Sequence, residues 1–423
     1  MSSLFRKLSS QSGTLVFVAV AGALAAAEAN AADAYFTPQL ETAVESHDNL
    51  NLRPRRTEDG TEIDLEKGSQ TGYSATVGGI AGLRSPTGLT ELRPRFLFQK
   101  FSDRDKLAQS NGYLDLRSSY RMVRSRFSLT GRYSQENEYN AEISEAQFDE
   151  FDPDANPDGT PEDATGRLVF TDSKITRLLV MPDYSFQLNQ RTGIGIRGLY
   201  QSADYSGGLV TSRDYSFGQA TGYLSWELNQ RASLETGLYT TRYETDDNEN
   251  ETKSNGLSAN LRYVWSPTFT ATAGLKFEET KISRVGGSEE SSNSWGFQMG
   301  VRRRGEISGI EASVGRMFSP SFGGVRVARD EVRAQYTRML APLWEASAAV
   351  RAFRNKSLGD EVDDSDRKFA RADLELTRQL SRTWTVSGGY SYIWQEYYVD
   401  EASGDDNVFM LRVGYEGLGP PTR

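Results

Sequence analysis

Charged side chains recur at every second position in several segments of the sequence. Residues two apart on an extended strand point to the same face, so each such segment places guanidinium and carboxylate groups on one surface. Such a surface binds anions, or its charges neutralise one another. The residues that follow this pattern and that we select as candidates are Arg93, Arg95, Asp115, Arg117, Arg121, Arg132, Arg302, Arg371, Asp373 and Glu375.

The sequence is poor in residues for covalent or metal chemistry. It contains no Cys and a single His, His47, among 423 residues. Without Cys there is neither a thiolate nor a disulfide, and one imidazole cannot build a His-rich metal site. A Ser-His-Asp hydrolase would have to use His47, which leaves hydrolysis as a distant alternative. We therefore predict no catalytic residue, no metal site and no cofactor.

Residues 142–172 form an acidic segment, with ten acidic residues and one basic residue, Arg167. Within this segment, residues 154–159 (DANPDG) match the first half of a calcium-binding loop. The second half does not match, because Thr165 stands where a bidentate Glu is needed. We interpret the segment as a solvated acidic surface loop, with a Ca²⁺ site as the alternative.

The charged runs belong to longer stretches in which apolar and polar residues alternate. Residues 269–278 (FTATAGLKFE) show this pattern, and residues 384–392 (WTVSGGYSY) show it again. Period-2 alternation is typical of β-strands. Very short turns join neighbouring stretches, including the LNQR sequences at 188–191 and 228–231, and longer polar connections separate the resulting hairpins.

Short turns at one end and long polar loops at the other predict an all-β fold, a transmembrane antiparallel up-and-down β-barrel of about 18 strands. An even strand number puts both termini on the periplasmic side. A soluble β-protein is the alternative, but the strands are longer than the ~5–6 residues usual in soluble sheets. The expected strands are 36–50, 70–84, 89–101, 111–123, 125–138, 173–187, 191–205, 213–228, 231–244, 255–265, 268–282, 292–303, 308–318, 325–340, 343–354, 366–380, 383–398 and 406–417.

Aromatic residues occur near the ends of the predicted strands, where bacterial barrels carry aromatic girdles at both membrane interfaces. The girdle expected beside the short turns consists of Trp226, Trp265, Trp344 and Trp384. The girdle expected at the opposite strand ends consists of Tyr200, Tyr243, Phe277 and Tyr397.

Residues 1–31 predict a cleaved secretory signal peptide. Arg6 and Lys7 precede an apolar stretch of small residues from 15 to 27, and an A-x-A cleavage site follows at 29–31. Residues 32–423 would then form a single outer-membrane β-barrel domain in a Gram-negative bacterium, in contact with outer-membrane lipid and lipopolysaccharide. A net charge of −10 argues against a nucleic-acid partner.

If the apolar strand face meets lipid, the strand charges face the lumen, because a lipid-facing Arg or Lys costs about 2–4 kcal/mol at the midplane. The ten candidates would then line a pore. Further inward charges would be Arg197, Arg262, Arg333, Arg351 and Arg412. Either these charges pair across strands, or an arginine ladder favours anionic solutes. A positive patch is expected on strands three to five, from Arg93, Arg95, Arg117, Arg121 and Arg132 against Glu91, Asp115 and Glu136.

The first predicted strand contains Pro38 and leads into His47, Asp48 and Asn49. This resembles the opening of the β-barrel porin 2 family, in which a Pro-containing strand leads into an aromatic-x-Asp-Asn or Thr-Asp-Asn segment. Asp48 and Asn49 match, and His47 stands where an aromatic residue or Thr is expected. The resemblance implies an outer-membrane barrel associated with exopolysaccharide synthesis and export, and it carries over no catalytic residue.

We therefore expect a protein that is not an enzyme but an outer-membrane pore for hydrophilic solutes, anionic ones among them. The resemblance adds exopolysaccharide export, with polysaccharide and periplasmic export components as partners. A general diffusion porin is an alternative within transport. A structural barrel with an occluded lumen, which anchors a surface polymer or a periplasmic partner, is the alternative of a different class. The sequence does not indicate an oligomeric state.

Overall fold

The computed structural model describes residues 33–50, 52, 69–102, 104–137, 174–206, 214–245, 250–284, 289–320, 326–357, 366–397 and 403–418. These residues form 18 strands. The strands are β1 (Asp33–His47), β2 (Gln70–Arg84), β3 (Gly88–Phe101), β4 (Arg104–Arg121), β5 (Ser125–Asn137), β6 (Lys174–Gln187), β7 (Thr192–Ser206), β8 (Tyr215–Asn229), β9 (Ala232–Thr245), β10 (Asn250–Ser266), β11 (Phe269–Arg284), β12 (Glu289–Arg304), β13 (Ser308–Pro320), β14 (Arg326–Ala341), β15 (Trp344–Ser357), β16 (Arg367–Gln379), β17 (Trp384–Tyr397) and β18 (Ser403–Glu416). No helix in this part of the chain is long and apolar enough to span a membrane.

Each strand pairs antiparallel with its neighbours in sequence, and β1 also pairs with β18 from Gln39↔Glu416 to His47↔Val408. The sheet therefore closes into an up-and-down barrel, which confirms the predicted fold class and strand number. Asp33 lies opposite Arg84, beside a short turn, and β18 ends at the same side of the barrel. The first and last strands thus start and finish at the short-turn end. That this end is periplasmic stays a prediction.

The repeated LNQR turns have a common hydrogen-bond pattern. The Asn189 side-chain oxygen accepts the backbone N–H groups of Arg191 and Thr192, each at 2.9 Å. Asn229 does the same for the two residues that follow Gln230, at 2.8 and 3.0 Å. A side chain that replaces a backbone acceptor in this way fixes a tight turn, which explains why Asn recurs at this position.

The outer face of the barrel carries an apolar band, which β11 and β15 illustrate. Outward-facing positions of β11 are apolar from Phe269 to Phe277 and become charged at Glu279. On β15 the apolar outward positions run from Trp344 to Ala352, with Arg354 next. Each run is about nine residues long, which matches the ~9–11 residues that a tilted strand needs to cross a bilayer. The outer face therefore fits a membrane.

The aromatic residues at the strand ends agree in part with the predicted girdles. Trp265 and Trp384 are 68% and 43% exposed beside short turns, as expected. At the opposite end, Phe277 faces outward and is 56% exposed. Tyr243 was assigned wrongly: it is 1% exposed and its ring lies 5.6 Å from that of Tyr215 on the inner face. The prediction ignored strand alternation there, and the side chain of Tyr397 lies outside the described part of the structure.

Two strands extend further than the sequence predicted. β4 begins at Arg104 and β10 at Asn250, whereas the alternation indicated starts at 111 and 255. Hydrogen-bonded pairing continues beyond the apolar band, so the barrel rim is built from polar residues without a clear period-2 pattern. The predicted signal peptide, residues 1–31, and the acidic segment 142–172 lie outside the described residues.

Candidate functional site

The strand register places all ten predicted candidates on the inner face of the barrel. The inner face is the one opposite the exposed apolar band, and inward positions pair with inward positions on the next strand. Asp115, for example, lies opposite Arg93 on β3 and opposite Arg132 on β5. Arg117 lies opposite Glu91 on β3.

Three arginines of the predicted positive patch on β3, β4 and β5 are paired with carboxylates. Arg93 donates to Glu91 at 2.7 Å, and Asp115 accepts from both Arg95, at 3.4 Å, and Arg132, at 2.8 Å. The side chains of Arg95 and Arg132 remain 47% and 44% exposed. Two accessible guanidinium groups therefore contact the Asp115 carboxylate. We refer to Arg95, Arg132 and Asp115 as the β3–β5 arginine pair.

The remaining candidates also form contacts on the inner face. Arg302 forms an ion pair with Glu311 at 2.8 Å, and Arg371 forms one with Asp373 at 2.8 Å. Glu375 lies 3.8 Å from Arg412, which itself lies 3.2 Å from Glu41. These are cross-strand or same-strand ion pairs of the kind that the first interpretation of the charges describes. Among the described residues, Arg121 has no ion pair within 4.0 Å and is exposed beside the turn after β4.

A second group of inward arginines was not recognised as a cluster from the sequence. We call it the β14–β16 arginine cluster, and its members are Arg329, Arg333, Arg351, Arg367 and Arg371. Arg351 lies directly between Arg333 on β14 and Arg371 on β16. Like charges placed side by side repel, so other groups must stabilise this arrangement.

Carboxylates and an aromatic ring stabilise the β14–β16 arginine cluster. Glu331 accepts hydrogen bonds from Arg351, at 3.0 Å, and from Arg333. The ring of Phe353 has three guanidinium carbons within 5.4 Å of its centroid, at 4.4 Å for Arg329, 5.1 Å for Arg367 and 5.4 Å for Arg351. Cation–π attraction is strongest in such desolvated sites. Arg329 and Arg351 are each 1% exposed, so this cluster is part of the packed interior.

The chain after β1 folds into the barrel. Leu50 and Leu52 are 1% and 6% exposed and belong to one buried apolar cluster. Its other members lie on β3 and on β15 to β18 and are Phe101, Phe353, Phe369, Ile393 and Val408. The Leu52 N–H donates to the Asn49 carbonyl at 2.8 Å, and Leu52 has a left-handed φ of 47°, which is unusual for a residue other than Gly. Tight packing thus holds Leu50 and Leu52 inside the barrel, where they reduce the cross-section of the lumen. We call residues 48–50 and 52 the inward segment.

A hydrogen-bond clasp joins the end of β1 to the start of β18. Asp406 accepts from His47 Nδ1 at 2.7 Å, from Asp48 N at 3.1 Å and from Asn49 N at 2.8 Å. In return, both carboxylate oxygens of Asp48 accept from Asn407, each at 2.8 Å. The His-Asp-Asn sequence that carried the family resemblance therefore closes the barrel seam and fixes the start of the inward segment.

His47 does not form a hydrolase site with the described residues. Its Nδ1 bonds Asp406, and its Nε2 lies 3.7 Å from Glu45 without a hydrogen-bond partner in the described part of the chain. A general base of the Ser-His-Asp type needs a hydroxyl at that nitrogen. The His47 ring instead packs edge-on against Phe101 at 5.9 Å, which suits a structural role.

The sequence analysis did not identify two features of the interior. They are the contacts of Arg329 and Arg367 with Phe353 and the inward segment. Arg329 and Arg367 do follow the inward period of their strands, so alternation alone could have placed them on the inner face. Nothing local indicates that they converge on Phe353, because that contact depends on the register of three strands. Residues 48–50 continued the predicted first strand, and the turn at Leu52 carries no Gly that would indicate it.

Comparison with known proteins gives structural matches only. No family model matches the sequence and no curated protein matches it, so the resemblance to the β-barrel porin 2 family stays a prediction. The fold resembles Pseudomonas aeruginosa OccK2 (10% identity, covering 92% of this chain and 99% of that chain, TM-score 0.47) and OpdO (13%, 91% and 97%, 0.45). It also resembles the outer membrane channel DcaP of Acinetobacter baumannii (13%, 91% and 97%, 0.42). At these identities the similarity concerns the fold alone.

Proposed function

We propose that the protein is an outer-membrane channel for hydrophilic solutes, without enzymatic activity. One observation carries the proposal: a closed barrel of 18 strands presents an apolar band about nine residues high outside and charged side chains inside. Barrels of 16–18 strands leave an aqueous channel when side chains alone occupy the interior. A band of this height belongs in a bilayer, and strand-built spanning proteins of this kind are typical of the Gram-negative outer membrane.

The solutes that this channel favours are anions. Arg95 and Arg132 keep nearly half of their side-chain surface accessible on the inner face. Accessible guanidinium groups on the wall of a channel with low-dielectric surroundings raise the local anion concentration. In the β14–β16 arginine cluster, Arg329, Arg351 and Arg367 are at most 2% exposed, far less than Arg95 and Arg132, so selectivity is assigned to the β3–β5 arginine pair.

Reversal potentials in planar bilayers under a KCl gradient test this assignment. The wild-type channel should prefer chloride, and the Arg95→Gln, Arg132→Gln double variant should lose that preference, because Asp115 then stands alone. Arg242→Gln is the matched control, since Arg242 faces outward at the rim. Cation selectivity that is the same in wild type and double variant would show that these charges only pair with one another.

The narrower proposal is passage of a secreted acidic polysaccharide, and it depends on the sequence resemblance alone. Liposome swelling with neutral and acidic sugars of graded size addresses it. Uptake that ends at the size of a disaccharide would favour a channel for small solutes, whereas passage of long acidic oligosaccharides would favour export.

A structural barrel with an occluded lumen is the second candidate. The inward segment supports it, because Leu50 and Leu52 pack inside the barrel in one apolar cluster with Phe353 and Phe369. Single-channel recording separates the two candidates. An occluded barrel gives no conductance steps, even when electrophoresis shows it to be folded in the bilayer, and a channel gives discrete steps.

A further inference from the structure

The wall of the barrel is incompletely paired between β12 and β13. β12 pairs with β11 along almost its whole length, from Glu289 to Arg303, but among the described residues it pairs with β13 only from Phe297 to Arg304. β13 nevertheless continues to pair with β14 as far as Pro320↔Arg326. β13 and β14 therefore leave β12 together, as a two-stranded unit, at the long-loop end of the barrel.

The unit leaves the wall on the inner side. The Arg326 guanidinium donates to Ser254 at 2.6 Å and to Glu278 at 3.0 Å, although those residues lie on β10 and β11. Adjacent strands are about 4.8 Å apart, so Arg326 reaches these partners only if the end of β14 lies over the inner surface of β11 and β12. This end of the β13–β14 unit, which we call the inner hairpin end (residues 317–320 and 326–328), occupies lumen space.

Two glycines allow the strands to part at this point. A Cβ placed on Gly296 would lie 2.7 Å from the Arg316 carbonyl oxygen and 3.4 Å from the Phe318 ring. A Cβ on Gly315 would lie 2.8 Å from the Phe297 carbonyl oxygen. Both glycines flank Phe297↔Arg316, the last β12–β13 pair, so the crossing of the two backbones requires the absence of side chains there.

A buried polar network holds the inner hairpin end in place. The side chains of Arg326 and Glu278 are each 3% exposed. Glu278 also accepts hydrogen bonds from Tyr239, at 3.1 Å, and from Thr280, at 3.3 Å. A buried ion pair of this kind is strongly destabilised when one partner is removed, because the other charge stays buried without compensation. The Arg326–Glu278 ion pair thus opposes movement of the inner hairpin end away from β11.

An inner hairpin end that left Glu278 would have a defined position in the wall, beside β12. If the β12–β13 register continued beyond Phe297↔Arg316, Gly296 would lie opposite Met317, Trp295 opposite Phe318 and Ser294 opposite Ser319. Phe318 would then join Trp295 on the lipid side, where Trp295 is already 52% exposed. Completing the ladder would pair residues 289–296 of β12, which have no β13 partner in the described part of the chain. Unpaired backbone N–H and C=O groups are costly near a membrane.

We infer that the inner hairpin end is a hinged gate with two positions, one docked on Glu278 inside the lumen and one paired with β12 in the wall. The expected effect of the gate on conductance rests on the proposed channel function, since the position paired with β12 leaves a wider lumen. The movement of the hairpin end between the two positions does not depend on that function.

Engineered cysteines test the movement directly, because the chain contains no Cys of its own. Ser294→Cys with Ser319→Cys forms a disulfide only when the hairpin end pairs with β12, since a disulfide requires Cα atoms about 4.4–6.8 Å apart. Gly300→Cys with Ser313→Cys is the matched control, on the same face and in the part of the ladder that is already paired. Glu278→Gln is combined with each pair to release the docked position, and Glu235→Gln, which faces Arg197 on β7, controls for loss of an inner carboxylate elsewhere.

The cross-linked fraction under mild oxidation and single-channel conductance are both measured. The control pair should cross-link rapidly and leave conductance unchanged. The Ser294→Cys, Ser319→Cys protein should cross-link slowly, and on the order of a hundredfold faster with Glu278→Gln but not with Glu235→Gln. Cross-linking should raise conductance, and reduction should reverse the increase. The gate is overturned if Ser294→Cys with Ser319→Cys fails to cross-link even with Glu278→Gln, or cross-links without changing the conductance of an active channel.

A wild-type barrel without conductance would refute the proposed function. Cross-linking would still decide whether the hairpin end moves.

Discussion

Replacing Asp406 with Ala should destabilise the barrel more than any exposed charge substitution, because Asp406 lies at the centre of the seam clasp. The residue is 1% exposed and its carboxylate accepts three hydrogen bonds, from His47 Nδ1, Asp48 N and Asn49 N. Asp48 N also donates to the Asn407 carbonyl at 3.3 Å and so keeps an acceptor in the variant. Two buried donors, His47 Nδ1 and Asn49 N, lose the Asp406 acceptor.

The expected cost follows from those two donors. A buried donor without a partner costs about 1–3 kcal/mol, so Asp406→Ala should lower the free energy of unfolding by about 2–6 kcal/mol. Asp406→Asn should cost less, because an amide oxygen of the same shape still accepts from the backbone N–H groups and only the charge-assisted part is lost. Glu396→Ala is the control: its ion pair with Lys368 is 30–40% exposed and is expected to contribute at most about 1 kcal/mol.

Guanidinium-induced unfolding of the folded protein in lipid vesicles, followed by tryptophan fluorescence, measures these differences. The order of stability should be wild type and Glu396→Ala together, then Asp406→Asn, then Asp406→Ala. If Asp406→Ala fell within 1 kcal/mol of Glu396→Ala, the clasp would contribute nothing and the reasoning would be wrong. If Asp406→Asn were as damaging as Asp406→Ala, charge rather than the number of satisfied donors would decide the stability.

Two further predictions concern the membrane-facing wall and its orientation. Ala273→Arg places a charge in the apolar band and should reduce the folded fraction by the equivalent of about 2–4 kcal/mol, whereas Thr272→Arg, one residue away on the inner face, should be tolerated; electrophoretic heat-modifiability measures both, and equal tolerance would contradict a lipid-embedded β11. Epitope tags inserted at Ser288 should be detected on intact cells and tags at Pro267 should not, and the reverse pattern would mean that the short turns face outward.

The wall of the barrel was predictable from the sequence because its determinants are local. Alternation along each strand assigns one face to lipid and the other to the interior, and the Asn residues at 189 and 229 mark two of the turns. Hence nearly all strand bounds in the structure lie within a few residues of those expected. The exceptions are at the rims, such as the start of β4, where polar sequence carries no period.

The interior was not predictable to the same degree, because its contacts join residues that are far apart in sequence. Arg329, Phe353 and Arg367 each follow strand alternation, but their meeting depends on the register of β14, β15 and β16 together. The arginines of the positive patch expected on β3 to β5 likewise follow strand alternation and lie on the inner face. Alternation does not indicate that two of them contact the same carboxylate, Asp115.

The two places where the chain enters the lumen have a common physical basis. At the seam, His47 Nδ1, the Asp48 carboxylate and the Asn49 N–H are hydrogen-bonded to β18, so the following residues can turn inward without leaving these groups unsatisfied. At the β13–β14 unit, Arg326 is engaged in the same way by β10 and β11. Three hydrogen bonds of the seam clasp come from backbone N–H groups, whereas the hairpin end is held by the side-chain contacts of Arg326 with Glu278 and Ser254. We therefore expect the inward segment to stay in place and the hairpin end to be the part that moves.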